Sequence, residues 1–136
     1  MDEFAQWYAD QLAVDERLAQ RVGGAWRQIG ETGVIVSSDG THAEECANGN
    51  WTGIAEHIVE HDPQRVLREV EAQRALLAQF SAAGDRMDRA ARDDDLVVYQ
   101  ESRAEVRTLH YAARLHAAAA YCGRPGYREE WRPRPV

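Results

Sequence analysis

The chain has 136 residues, 44% of them hydrophobic, and a formal net charge of −7. That length suits one domain able to bury roughly two thirds of its unfolded surface, and its apolar residues come in runs too short for a transmembrane helix of ~20 consecutive apolar residues. Every cation apart from His is Arg, unevenly placed: residues 1–62 carry 3 Arg against 12 acids and residues 63–136 carry 13 Arg against 11, so a phosphate backbone would find several cationic partners only in the second half.

The start, Met1-Asp2-Glu3-Phe4, is acidic and has neither the basic region nor the apolar stretch of a secretory leader. Two distant cysteines, Cys46 and Cys122, do not form a disulfide framework. Both features predict a cytoplasmic protein in a reducing compartment.

In chain order, residues 3–22 read as a first helix. Phe4, Tyr8, Leu12, Leu18 and Val22 recur close to helical spacing, Asp2 and Glu3 suit the positive helix end, and Gly23-Gly24 stops it. Trp26, Ile29 and Val34-Ile35-Val36 are strand formers broken by Gly30, Gly33 and the Asp39-Gly40 turn signal, which predicts a short β-hairpin near residues 26–37. Residues 40–50 read as a loop and 52–61 as a short helix. Asp62-Pro63 then opens a third helix, Asp as cap and Pro at the first helical position. Val66, Leu67, Val70, Leu77 and Phe80 form its stripe, and Gly84 is read as its end. The charged run 85–95 reads as an exposed connector. A last long helix is predicted over 94–120, with Leu96, Tyr99, Val106, Leu109, Ala113 and Ala117 on one face.

The expectation is a mainly α fold: a small domain of three to four helices over residues 1–123, built around an antiparallel helix pair, with the short hairpin against it. Residues 124–136 form an Arg/Pro-rich tail. There Tyr127 and Trp131 alternate with Arg128 and Arg132. Such interleaving suits base stacking, but large aromatics are costly to leave exposed, so we expect the tail docked on the domain.

One constellation has metal-ligand chemistry: His42-x3-Cys46-x10-His57-x3-His61. Imidazole and thiolate hold zinc tetrahedrally, and His57 and His61 share a helix face. The spacing departs from zinc fingers, so the zinc reading centres on His57 and His61, with His42 and Cys46 as further candidates. The His61-Asp62 dipeptide also suggests metal phosphohydrolases, but the helix cap accounts for Asp62. No nucleophile elbow, phosphate loop or dinucleotide fingerprint is present.

Two segments carry a resemblance. His57-Ile58-x-x-His61-Asp62-Pro63-x-Arg65-Val66-Leu67-x-Glu69-Val70-Glu71-Ala72 and Tyr127-Arg128-Glu129-Glu130-Trp131-Arg132-Pro133 are similar to an uncharacterised family, domain of unknown function 6221, and Leu12, Asp15 and Glu16 fit its first helix. The resemblance implies an actinobacterial or bacteriophage origin and assigns no activity. The expected role is therefore a non-enzymatic interaction or regulatory protein without a cofactor, working through a protein partner or as a homodimer and not on membranes. Two alternatives stand beside it. One is a zinc-binding module or metal-dependent hydrolase using His57 and His61. The other is nucleic-acid binding through the Arg-rich C-terminal half, which the net negative charge disfavours.

Overall fold

A computed structural model describes residues 2–37 and 45–135. The elements, in order, are α1 (Glu3–Val22), β1 (Trp26–Gln28), β2 (Val34–Ser37), β3 (Glu45–Asn48), α2 (Thr52–Glu60), α3 (Pro63–Arg92) and α4 (Leu96–Tyr121), followed by a 3-10 turn at Glu129–Trp131. The fold is mainly α with a small antiparallel sheet. The described residues group into two compact units. One comprises residues 1–12 and 72–136, the other residues 13–71. No helix among the described residues is long and apolar enough to cross a membrane.

The first unit is held by the start of α1, the second part of α3 and all of α4. Asp2 caps α1, its Oδ1 accepting from the Ala5 N–H at 2.7 Å. Phe4 and Tyr8, one turn apart, are both buried. α3 and α4 run antiparallel: Tyr8 bridges Gln73 to His116, Phe80 stacks on His110, and Arg86 pairs with Glu105. Buried alanines at 83, 90, 113, 117 and 118 furnish small side chains for the core of this unit.

α3 continues two turns past Gly84, where the sequence reading ended it. Gly84 has an ordinary helical backbone, and a Cβ added there would meet nothing outside its own helix within 4 Å. A glycine inside a helix costs only about 1 kcal/mol relative to Ala, and Ala83 and Ala90, both buried, anchor the turns on either side. The real stop is the Asp triplet. Asp94 takes a left-handed backbone (φ 53°), and the Asp95 N–H reaches the Ala90 carbonyl at 2.9 Å, a Schellman closure. Asp95 then caps α4 by accepting from the Val98 N–H at 3.1 Å. The expected charged connector thus shrinks to residues 93–95.

The second unit carries the sheet, in the order β1-β2-β3. β1 and β2 form the expected hairpin, with Trp26 opposite Ser37 and Gln28 opposite Ile35. The turn closes where the Ile29 N–H meets the Val34 carbonyl at 3.0 Å. β3 lies within the stretch read as a loop. It pairs Val34 with Asn48 and Ile35 with Ala47, and a register shift follows before Val36 meets Glu45. Strand propensity in Glu45-Cys46-Ala47-Asn48 is low, so the pairing to buried Ile35 and Val36 supplies the order. The Asp39-Gly40 turn signal lies outside the described residues.

Gly33 permits a close approach of the chain: a Cβ there would stand 2.5 Å from the Asn50 backbone nitrogen. α2 lies against β1 and β2. Asp62, only 8% exposed, joins the sheet to α3. One carboxylate oxygen caps α3 through the Arg65 N–H (2.9 Å), and the other accepts the Trp26 N–H of β1 (3.0 Å).

Candidate functional site

Polar and aromatic side chains concentrate in the first unit. Phe4, Trp7 and Tyr8 fall on one face of α1 because they sit three and four residues apart. The Tyr8 hydroxyl lies 2.7 Å from Gln73 Oε1 and 2.7 Å from His116 Nδ1. A single hydroxyl proton serves both only if Tyr8 donates to the Gln73 carbonyl oxygen and His116 carries its proton on Nδ1. Burial pushes the Tyr8 hydroxyl well above its ordinary value of 10.0. A tyrosine held neutral in this way fixes structure and is a poor general base.

The tail lies against the same helix. Gly126 has φ +85°, and a Cβ there would approach Trp7 Nε1 to 2.8 Å. The Trp7 indole N–H donates to the Pro125 carbonyl at 3.0 Å. Trp131 sits 5.4 Å from Phe4 and 5.3 Å from Trp7 between ring centres, and Tyr127 sits 5.7 Å from Trp7. Burial raises the Tyr127 hydroxyl, whose oxygen has no hydrogen-bond partner among the described residues. Arg128 lies over the Trp131 ring and pairs with Glu3 at 2.8 Å. Arg132 pairs with Glu129; that hydrogen bond raises the guanidinium and lowers the Glu129 carboxyl. All four of the tail residues singled out from the sequence therefore make contacts inside their own unit.

The turn between α3 and α4 exposes apolar surface. Leu96 and Val97 are each 66% exposed and Val98 37%. Charge of both signs precedes them in the chain: Arg89 and Arg92 on the last turn of α3, then Asp93 and Asp94. The sequence reading assigned Leu96 to a core stripe and so missed this surface. The available signal was three consecutive aliphatics directly after an Asp triplet, a run that one helix face cannot bury.

The His57 and His61 rings of the second unit lie 4.3 Å apart between centres, on exposed positions. His61 Nδ1 is 2.8 Å from the His57 carbonyl. A carbonyl only accepts, so His61 carries a proton on Nδ1, and Nε2 is the nitrogen left to face another group. Cys46 is exposed on β3; its thiol points at the Ile35 carbonyl, 3.6 Å away, and partial burial raises its pKa. His42 lies outside the described residues. Among the described residues no group of three or more His, Cys, Asp or Glu side chains is placed to hold a metal ion.

Residues 1–133 match the Family of unknown function (DUF6221), and the chain belongs to that family. No curated protein and no solved structure matches it.

Proposed function

We propose that this member of the family is a cytoplasmic, non-enzymatic interaction protein that works as a homodimer joined through the turn between α3 and α4. The observation that carries the reading is the exposure of Leu96, Val97 and Val98 side by side at that turn. Single exposed aliphatics are ordinary, whereas a contiguous patch rimmed by charge marks a contact surface. A two-fold interface must complement itself. Here Arg89 and Arg92 stand within a helical turn or two of Asp93 and Asp94, so a rotated copy can set each cation against an acid around an apolar centre.

Native mass determination and light scattering test this. A dimer is expected for the wild-type chain and a monomer for Val97→Asp with its helical circular dichroism unchanged. A wild-type chain that stays monomeric at high micromolar concentration refutes the reading.

A second reading rests on the adjacency of His57 and His61, which lets two imidazole nitrogens serve one zinc ion, with Cys46 or His42 completing the set. Metal analysis after zinc loading tests it. About one zinc per chain, lost in His57→Ala/His61→Ala without a change in melting temperature, supports it, and a stoichiometry near zero ends it.

A further inference from the structure

α4 carries a groove of about 580 Å³ lined by Ala104, Arg107, Thr108, His110, Tyr111 and Arg114. That volume is within the range of small-molecule sites, roughly 300–1,000 Å³. Among the described residues its lining includes no Asp or Glu, although the Asp2 carboxylate lies 2.9 Å from His110 at its border. Arg107, Tyr111 and Arg114 follow one another at four and three residues, so they share a helix face. The two guanidiniums start from positions separated by about 10 Å along the axis, from 1.5 Å per residue.

The cations of this groove are unspent. Neither Arg107 nor Arg114 makes an ion pair or side-chain hydrogen bond with another described residue, and Arg114 Nε is buried without a hydrogen-bond partner among the described residues. A buried donor left unmet is unfavourable, and native structures seldom tolerate one without a reason. Of the other polar groups, one is committed elsewhere and one has only a misaligned neighbour. The Thr108 hydroxyl donates to the Ala104 carbonyl at 3.0 Å. His110 Nε2 lies 2.9 Å from Asp2 Oδ2 but out of line for a good hydrogen bond.

We infer that this face of α4 is a binding site for a nucleotide, its phosphate held by Arg107 and Arg114 and its base laid on the Tyr111 ring. Guanidinium forks match phosphate oxygens, and a tyrosine face stacks on any base. A bare oxyanion would leave the aromatic ring between the two cations unused. Charge favours a small ligand over a duplex: the chain as a whole carries −7, which repels a long polyanion, whereas a single phosphate meets only the local cations.

Calorimetric titration of the full chain at fixed low salt, with adenosine monophosphate, adenosine, inorganic phosphate and a short single-stranded oligoadenylate, tests the site. The monophosphate should bind saturably and more tightly than either of its parts. Arg107→Gln, at an exposed position, should weaken it about tenfold, the effect of one charge-assisted hydrogen bond. Tyr111→Leu should reduce the monophosphate to the affinity of phosphate alone. Arg114→Gln should act like Arg107→Gln; if loss of its half-buried side chain unfolds the protein, the Arg107 variant still decides the matter. An oligoadenylate that binds more tightly than the monophosphate identifies the source as a nucleic-acid strand, and one that does not identifies it as the free nucleotide. Absence of saturable binding by both, or binding indifferent to Arg107→Gln and Tyr111→Leu, overturns the inference. None of these readouts depends on dimerisation, since Val97→Asp should leave them unchanged.

Discussion

Tyr8→Phe isolates one hydroxyl at the centre of the first unit. The ring stays, so its burial (0% exposed) and its stacking on Phe4 are preserved. What is lost is the partner of both Gln73 Oε1 and His116 Nδ1, each at 2.7 Å. Leaving a buried polar atom unmet costs about 1–3 kcal/mol. Gln73 and His116 are only partly buried, so water relieves part of the loss, and we expect a net destabilisation of about 2 kcal/mol. For a chain of this size that lowers the melting temperature by roughly 6 °C. Urea denaturation followed by circular dichroism measures it. Gln73→Leu on top of Tyr8→Phe should recover about 1 kcal/mol, because removing both members of a polar pair costs less than removing one. The same hydroxyl sets a pH limit. Its pKa is raised in the folded chain above the 10.0 of the unfolded chain. Its contribution is therefore complete below pH 10 and is lost as pH rises past that value. Wild-type stability should fall above pH 10 more steeply than that of Tyr8→Phe. A variant within about 0.5 kcal/mol of wild type, the range of an indifferent surface change, with an identical alkaline limb would refute the reasoning.

Three further substitutions probe other parts of the chain. Gly84→Ala should stabilise by about 0.5–1 kcal/mol in thermal melts, since the site is helical with open space around it; a loss of stability would place a constraint there. Gly126→Ala should cost about 2 kcal/mol: its φ of +85° penalises a side chain, and the new Cβ meets Trp7 Nε1 at 2.8 Å. Quenching or shift of tryptophan fluorescence would report the displaced ring. Asp62→Ala should cost about 2–3 kcal/mol, because it removes the α3 cap and strands the Trp26 N–H in one change. The expected signature is a lower urea midpoint, and an unchanged one would show water replacing the carboxylate.

Much of the helical frame was legible because its signals are local. The stripe from Phe4 to Leu12 and the Asp62-Pro63 start act within a turn or two of chain, and α1 and α3 begin where those signals lie. Errors arose where a non-local partner decides. Gly84 only weakens a helix in isolation, and Ala83 and Ala90, on the turns to either side of it, are buried. β3 has little strand propensity, and its order comes from pairing to β2 across a register shift. The site residues divide in the same way. His57 and His61 follow from helical spacing alone. The exposed aliphatics at 96–98 and the unpartnered guanidinium of Arg114 depend on what the rest of the fold fails to cover, which no short window of sequence contains.

The two segments that carry the family resemblance explain why membership assigns no chemistry. In the first, Asp62 caps α3 and takes the Trp26 amide, Pro63 fills the position where an amide would be wasted, and Arg65 reaches Glu60 and Glu69. In the second, Tyr127 and Trp131 lie on Trp7 and Phe4 while Arg132 engages Glu129. Caps, staples and aromatic wedges are spent on holding backbone segments in place, so a signature built from them identifies a fold. The proposed contacts use groups that these caps and aromatic wedges do not hold: the aliphatics after Asp95 and the Arg107–Tyr111–Arg114 face of α4. On this argument, replacing Trp131 by Ala should reduce stability in urea melts by an amount approaching the ~3–5 kcal/mol of a buried aromatic, discounted for its partial exposure. Adenosine monophosphate affinity, measured on the fraction still folded, should not change. A Trp131→Ala protein that melts like wild type but loses that affinity would reverse the assignment and make the signature a functional one.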